Sequence, residues 1–364
     1  MIEELFSHKK EGIIKPFIIS GPCSVETPDQ LFQTVKVLYK EGIRVFRGGV
    51  WKPRTRPGSF EGVGAIALPW IAEVKKKFDI EFAIEVASAQ HVEEALKSGI
   101  DILWIGARSS VNPFTVQEIA DSLKGVNIPV LIKNPVNPDL SLWLGAFERI
   151  QAAGITETAA IHRGFSNFRE KKYRNSPNWQ IPIDFRSALP EIPMICDPSH
   201  ISGKRSLVPI VSQKALDLNF DGLMIESHIH PDEAWSDAAQ QLTPQSLGLM
   251  IRSLQTRKVH FEEEGKQHKL DEIRAQIDQA DHDLLEAIHR RMALVEKIGD
   301  FKKLNNVAVL DMDRWKHILE TRPAWANELK LSPSMIEEMF GLIHQESIKK
   351  QTEILDQNPK ESQD

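Results

Sequence analysis

Eight short runs of apolar, largely β-branched residues recur between residues 17 and 226, each separated from the next by a stretch long enough for a helix. They lie at 17–20, 43–46, 82–86, 102–105, 130–132, 158–161, 194–196 and 222–225. A strand that is apolar throughout has no solvent-facing side, so it belongs to a parallel sheet covered on both faces. Eight such units predict an α/β fold closed into a (β/α)8 TIM barrel, where fewer would predict an open doubly wound sheet.

In such a barrel, side chains that act on a ligand sit at the C-terminal ends of the strands. The first run leads into Gly21-Pro22-Cys23-Ser24, the second into Arg47-Gly48-Gly49 and Lys52-Pro53-Arg54-Thr55, and the third ends at Glu85. Gly106-Ala107-Arg108 follows the fourth, Lys133-Asn134 the fifth and His162-Arg163-Gly164 the sixth. Asp197-Pro198-Ser199-His200 follows the seventh, and Glu226-Ser227-His228 the eighth. Turns after buried strands are ordinarily built from Gly, Pro, Asn and Ser. A reactive or charged group at every strand end therefore points to a site.

Five of these groups are cations: Arg47, Lys52, Arg108, Lys133 and Arg163. Gathered at one mouth they repel one another unless an anion lies among them. Arg supplies bidentate forks and Lys compact charges, which together suit a ligand with both phosphate and carboxylate groups. The competing possibility is that some of them pair with Glu85, Asp197 or Glu226. Cys23, His200, Glu226 and Asp237 form a second set on the same face. A thiolate, an imidazole and two carboxylates suit a borderline divalent metal, Mn, Fe, Co or Zn, better than Mg. Cys196 reads as core, and His162, His228 and His230 as structural groups near the face.

Charge and composition remove other classes. With 45 basic and 51 acidic residues the net charge is −6, so the basic excess of a nucleic-acid binder is absent. No apolar run reaches the ~18 residues of a membrane span, and residues 1–15 lack a signal-peptide core. Two cysteines make no disulfide scaffold and suit a reducing, cytoplasmic setting.

Beyond residue 254 the pattern changes. The barrel is expected over 1–254, a polar linker over 255–268, an all-α domain over 269–356 and a polar tail over 357–364. Apolar residues return at helical spacing through Leu270, Ile273, Ile277, Leu284, Ile288, Met292, Val295 and Ile298. A helix of ~30 residues spans about 45 Å, too long for a small domain to cover, so a partner chain is expected along it. Helices at 311–322 and 333–354 follow, the second opened by Ser332-Pro333. Arg291 and Lys302 share a helical face, whereas Arg274 lies ~42 Å from Lys302 along an ideal helix. If both serve one pocket, Arg274 comes from a second subunit; otherwise these are solvated cations of an amphipathic helix.

Taken in order, Gly21-Pro22-Cys23-Ser24-Val25-Glu26, Arg47-Gly48-Gly49, Lys52-Pro53-Arg54-Thr55, Gly106-Ala107-Arg108 and Asp197-Pro198-Ser199-His200 resemble 3-deoxy-D-arabino-heptulosonate 7-phosphate (DAHP) synthase, in its shorter type related to octulosonate 8-phosphate synthase. The Lys-Pro-Arg-Thr stretch separates the two, and Arg56 stands where the family more often has Ser or Thr. The resemblance implies condensation of phosphoenolpyruvate with erythrose 4-phosphate. It implies that the five cations hold phosphoenolpyruvate, with Lys52 taking part in catalysis and with Ala107 and Asp197 in the same pocket. It further implies that Arg54 and Thr55 hold the aldose phosphate, that Glu85 positions a water, and that Cys23, His200, Glu226 and Asp237 ligate the metal.

The region from Leu270 to Ile354 resembles the all-helical chorismate mutase. The matching positions are Arg274, Arg291, Lys302, Asp311, Arg314, Ser347 and Gln351, with Trp315 where the family usually has Glu. The resemblance implies isomerisation of chorismate to prephenate in an intertwined homodimer, with Arg291, Lys302 and Gln351 catalytic. Two alternatives are a helical domain that senses chorismate or prephenate and restrains the barrel, and an octulosonate-type synthase that takes arabinose 5-phosphate.

Overall fold

The computed structural model describes residues 16–53, 58–257 and 264–357. The chain divides into two compact units, residues 1–259 and 260–364. In the first, eight parallel strands close into a barrel in sequence order: β1 (Phe17–Gly21), β2 (Val45–Arg47), β3 (Glu81–Val86), β4 (Ile102–Ile105), β5 (Val130–Lys133), β6 (Thr158–His162), β7 (Met194–Cys196) and β8 (Gly222–Glu226). β8 pairs back onto β1 through Phe17↔Gly222 to Gly21↔Glu226. The covering helices are α1 (Pro28–Lys40), α2 (Leu68–Lys77), α3 (Ala89–Lys97), α4 (Pro113–Ser122), α5 (Leu140–Ala152), α6 (Gln180–Ala188), α7 (Pro198–Ser202), α8 (Val208–Asp217) and α9 (Pro244–Ser253).

The strand pleat decides which residues reach the site. Ile19, Val45, Ala83, Trp104, Leu131, Ile161, Ile195 and Met224 pack together inside the barrel. Alternate residues such as Phe46, Ile84, Leu103, Ile132, Cys196 and Leu223 face the helices. Because side chains alternate with period two, the next inward positions are Gly21, Arg47, Glu85, Gly106, Lys133, Arg163, Asp197 and Glu226. The polar site is thus one pleat above an apolar plug.

Five strands run one residue beyond the apolar pattern, to Gly21, Arg47, Lys133, His162 and Glu226, because their backbone pairing continues to those residues. β2 starts at Val45 rather than 43, since the Ile43 N–H donates to Leu38 O and closes the end of α1.

Among its described residues the second unit holds three helices, α10 (Glu264–Leu304), α11 (Met312–Glu328) and α12 (Pro333–Asp356), with both α10 and α11 packed on α12. Two boundaries differ from expectation. α10 begins inside the expected 255–268 linker. Its first turns carry Gln267–Asp271 and His268–Glu272 pairs at helical spacing, which support polar sequence as helix. α11 passes through Pro323 instead of stopping at 322. Ile318 and Ala326 are buried on either side, and the Arg322 guanidinium lies 4.4 Å from the Trp325 ring and 5.8 Å from that of Phe340. That packing offsets the ~3 kcal/mol interior cost of proline. No helix among the described residues is long and apolar enough to cross a membrane.

Candidate active site

Cys23, Glu226 and Asp237 offer one ligand atom each within 4.8 Å of one another at the barrel mouth. The Cys23 Sγ lies 3.2 Å from Oδ2 of Asp237. The fourth expected ligand, His200, stands beside this trio, with Nε2 3.7 Å from Oε1 of Glu226 and Nδ1 2.8 Å from Oδ2 of Asp197. Asp197 also caps α7, where Oδ1 accepts from the His200 N–H at 3.1 Å and so orients the imidazole. Burial, reinforced by the charge of Glu226, pushes the Cys23 thiol up to about 12. Burial would raise Asp237 and Asp197 too. His200 with Arg174 outweighs it for Asp237, and His200 with Lys133 for Asp197, so both carboxyls are held low. Burial pulls His200 below its ordinary value, against the opposing pull of Asp197 and Glu226. Oε1 of Glu226 is buried and, among the described residues, makes no hydrogen bond but has longer charge contacts to Arg47 at 3.3 Å and to His200. A thiol, two carboxylates held low, an imidazole and a buried carboxylate oxygen without a hydrogen bond among the described residues fit a divalent cation of borderline softness.

Arg47, Lys52, Glu85, Arg108, Lys133, Arg163 and His200 line one cavity together with Pro53, Arg174 and Asp237. All five cations named from the strand ends therefore converge. Two of them also carry the pairings weighed as the alternative: Arg47 with Glu226, and Lys133 with Asp197 at 2.8 Å. Lys52 Nζ donates to Cys23 O at 2.8 Å and lies 2.6 Å from Cys23 Sγ. Arg163 is pulled down to about 10 by burial, which Asp197 only partly opposes. Ala107 is buried behind the mouth, its carbonyl accepting from the Val136 N–H at 3.2 Å. Arg54 and Thr55 lie outside the described residues.

His162 faces away from the mouth, out of phase by one residue, among Phe165, Trp179 and Phe220. Cys196 is core, as its position implies. The sequence pattern missed two groups. Trp104, two residues below Gly106, is buried beside three groups that line the cavity: Arg47 is 5.0 Å and Lys133 5.6 Å from its ring, and its Nε1–H donates to Glu85 Oε2 at 3.2 Å. Arg174 donates to Asp237 Oδ1 at 3.0 Å and to Gln240 Oε1 at 2.9 Å. It sits in a loop after β6, eleven residues past Arg163, where no strand end marks it; inward phase alone would have flagged Trp104.

In the helical unit, Arg291 donates to Ser347 Oγ at 2.8 Å, and Gln351 Nε2 donates to Ser347 O at 3.2 Å. Burial, then the charges of Arg322 and Arg314, lower Arg291, so these three cations share a neighbourhood. Gln351 Oε1 is buried without a hydrogen bond among the described residues. Lys302 donates to Val309 O at 2.5 Å. Asp311 is the N-cap of α11, accepting from the Arg314 N–H at 2.9 Å, rather than its first helical residue. Trp315 stacks on His344 at 4.0 Å between centroids. Arg274 is exposed and pairs with Asp271, apart from the other six.

Comparison with known proteins follows the same division. Residues 9–263 match the DAHP synthetase I family, and residues 273–352 match chorismate mutase type II. A phospho-2-dehydro-3-deoxyheptonate aldolase of Thermotoga maritima is 34% identical over 226 residues, covering 62% of this chain and 64% of that protein. The match thus spans just under two thirds of that relative's length. A 2-dehydro-3-deoxyphosphooctonate aldolase of Wolinella succinogenes is 26% identical over 268 residues, covering 65% of this chain and 97% of its own. The crystal structure of the Thermotoga maritima aldolase (DAHP synthase) superposes with a TM-score of 0.58 at 31% identity, over 65% of this chain and 67% of that one.

Proposed function

The chain belongs to the DAHP synthetase I family and carries a chorismate mutase type II domain behind it, and from that premise we propose a bifunctional enzyme of aromatic biosynthesis. Its barrel condenses phosphoenolpyruvate with erythrose 4-phosphate to DAHP and inorganic phosphate. Its helical domain isomerises chorismate to prephenate. The observation that carries the first activity is the convergence of Arg47, Lys52, Arg108, Lys133 and Arg163 beside Cys23, Glu226 and Asp237.

Arg163, Arg108 and Lys133 take the phosphate and carboxylate of phosphoenolpyruvate, replacing their mutual repulsion with charge-assisted hydrogen bonds. Arg47 and Lys52 reach between that anion and the Cys23 side of the mouth, and Arg54 with Thr55 takes the aldose phosphate. Cys23, His200, Glu226 and Asp237 would hold a divalent metal, which when bound supplies Lewis acidity toward an aldehyde oxygen. Carbon 3 of the enol attacks the aldehyde carbon, whose C=O π bond opens to the new hydroxyl, while Glu85, fixed by the Trp104 indole, aims the water that adds to carbon 2 and yields the proton that hydroxyl takes up. The C–O bond to phosphate then breaks, and the cation nest stabilises the departing dianion.

In the helical domain Arg291, Arg314 and Ser347 bind the carboxylates of chorismate, with Lys302 and Gln351 toward the ether oxygen. The rearrangement is pericyclic, so holding a compact conformer and stabilising charge suffice. Residues 271–287 are exposed throughout, including Ile273, Ile277, Leu284 and Leu285. A helix bare on every side is not stable alone, which supports a homodimer that covers this stretch and brings Arg274 to the partner's pocket. The Trp315–His344 stack, where Glu is usual, favours a second role in which the helical domain senses prephenate and restrains the barrel. Steady-state assays of both reactions on the full chain, with erythrose 4-phosphate against arabinose 5-phosphate and with and without prephenate, test all of this. Preference for the five-carbon aldose, or no turnover of either substrate pair, would overturn it.

A further inference from the structure

We propose that Glu26 is the positioning residue that sets the Cys23–Asp237 pair, by holding the loop after β8 to the loop after β1; this rests on the metal-site reading above. Asp237 stands at φ 51°, a left-handed conformation that a non-glycine residue keeps only when its surroundings fix it. Three successive residues are fixed. The Trp235 N–H donates to Glu26 Oε1 at 2.8 Å, Ser236 Oγ lies 2.5 Å from Ser24 Oγ, and Asp237 meets Cys23. The other oxygen of Glu26 lies 3.3 Å from His228 Nε2 at the start of the same loop. His228 Nδ1 accepts from the His230 N–H at 2.9 Å, so it carries no proton, and Nε2–H is the donor to Glu26. Both carboxylate oxygens are thereby committed to one loop. Glu26 and His228 are 5% and 3% exposed, and neither lines the cavity.

A carboxylate can accept both donors; an amide cannot. Glu26→Gln leaves its NH2 facing either the Trp235 N–H or the His228 Nε2–H, whichever way it turns. Reversing the imidazole tautomer only moves the conflict to the His230 N–H. Pairing it with His228→Gln restores complementarity, because the second amide can offer its oxygen.

The test uses the full metal-free chain titrated with Mn(II) by calorimetry, and with Co(II) followed by the thiolate-to-cobalt charge-transfer band. Cys196 faces the helices, so that band reports Cys23. Glu26→Gln is expected to weaken Mn(II) binding about 10- to 100-fold and to reduce the band at matched occupancy, as loss of supporting groups around metal ligands does. The double variant should recover to within about threefold. Native-like binding by Glu26→Gln, or a double variant as weak as the single, overturns the inference. A native chain that binds neither ion overturns the metal-site reading and this inference with it.

Discussion

Gly106→Ala gives a sharp test of the role assigned to Glu85. A Cβ at Gly106 falls 1.9 Å from Glu85 Oε1 and 2.7 Å from its Cδ. Ordinary contact begins near 3.4 Å, so the carboxylate must retreat by ~1.5 Å. The obstacle is the end of a flexible side chain, and Gly106 has no left-handed φ, so alanine itself is tolerated. Retreat breaks the bond from the Trp104 indole, which costs roughly 1.5–3 kcal/mol for a charged acceptor and lowers Tm by about 5–10 °C in a domain this size. A misplacement above 1 Å costs about 100-fold in rate. The five cations are untouched, so kcat for DAHP formation should fall ~100-fold while KM for phosphoenolpyruvate changes less than about threefold. Gly21→Ala is the control: its Cβ meets Arg47 backbone oxygen at 2.0 Å, so β1 and β2 must part and the barrel fails to fold. An unchanged kcat in a Gly106→Ala protein whose Tm has dropped would refute the role of Glu85.

Further outcomes follow from other parts of the molecule. Chelation with EDTA should abolish DAHP formation and spare chorismate turnover; equal loss of both would contradict a metal confined to the barrel. Arg291→Ala should lower mutase kcat/KM by about 100- to 1,000-fold, measured by chorismate disappearance, since it removes a charged donor from the pocket. Burial depresses His162 to about 3 from 6.5, so between these values the unfolded chain binds a proton that the folded one does not. Its contribution is complete above pH 6.5 and falls by about 1.4 kcal/mol per unit as pH drops. Melting curves from pH 7 to 5 should therefore be flatter for His162→Phe than for the native chain, and parallel curves would reject this. Ile277→Asp with Leu284→Asp should give monomers in light scattering and abolish mutase activity; an active monomer would remove the second subunit from that site.

The barrel was legible because its strands are uniformly apolar and their ends are not. Once eight such strands close, the pleat places every second residue inside, and Arg47, Glu85, Lys133, Arg163, Asp197 and Glu226 all fall inward at the C-terminal end of the barrel without further information. What resisted reading is whatever that periodicity does not govern, or marks only as apolar filling. Trp104 looks like strand filler, yet it supports two cations and orients Glu85. Arg174 and Glu26 belong to loops, where long-range pairing across 63 and 209 residues decides their partners. A local pattern carries no trace of such contacts.

The helical unit reverses that balance. Its periodicity located three helices, but the same apolar repeat marks both the face that packs within the chain and the face left bare. Ile318 and Ile336 are buried, whereas Ile273 and Ile277, of the same chemistry and spacing, are half exposed. Geometry separates them: α10 outruns the other two helices, so residues 271–287 are exposed among the described residues of their unit. Arg274 sits on that stretch, about eight turns from Lys302. A site that needs both must therefore be assembled from two chains, and its activity should depend on protein concentration in a way that of the barrel does not. Dilution through the dimer dissociation range, with mutase and synthase turnover followed in the same samples, separates the two: mutase specific activity should fall while synthase specific activity holds.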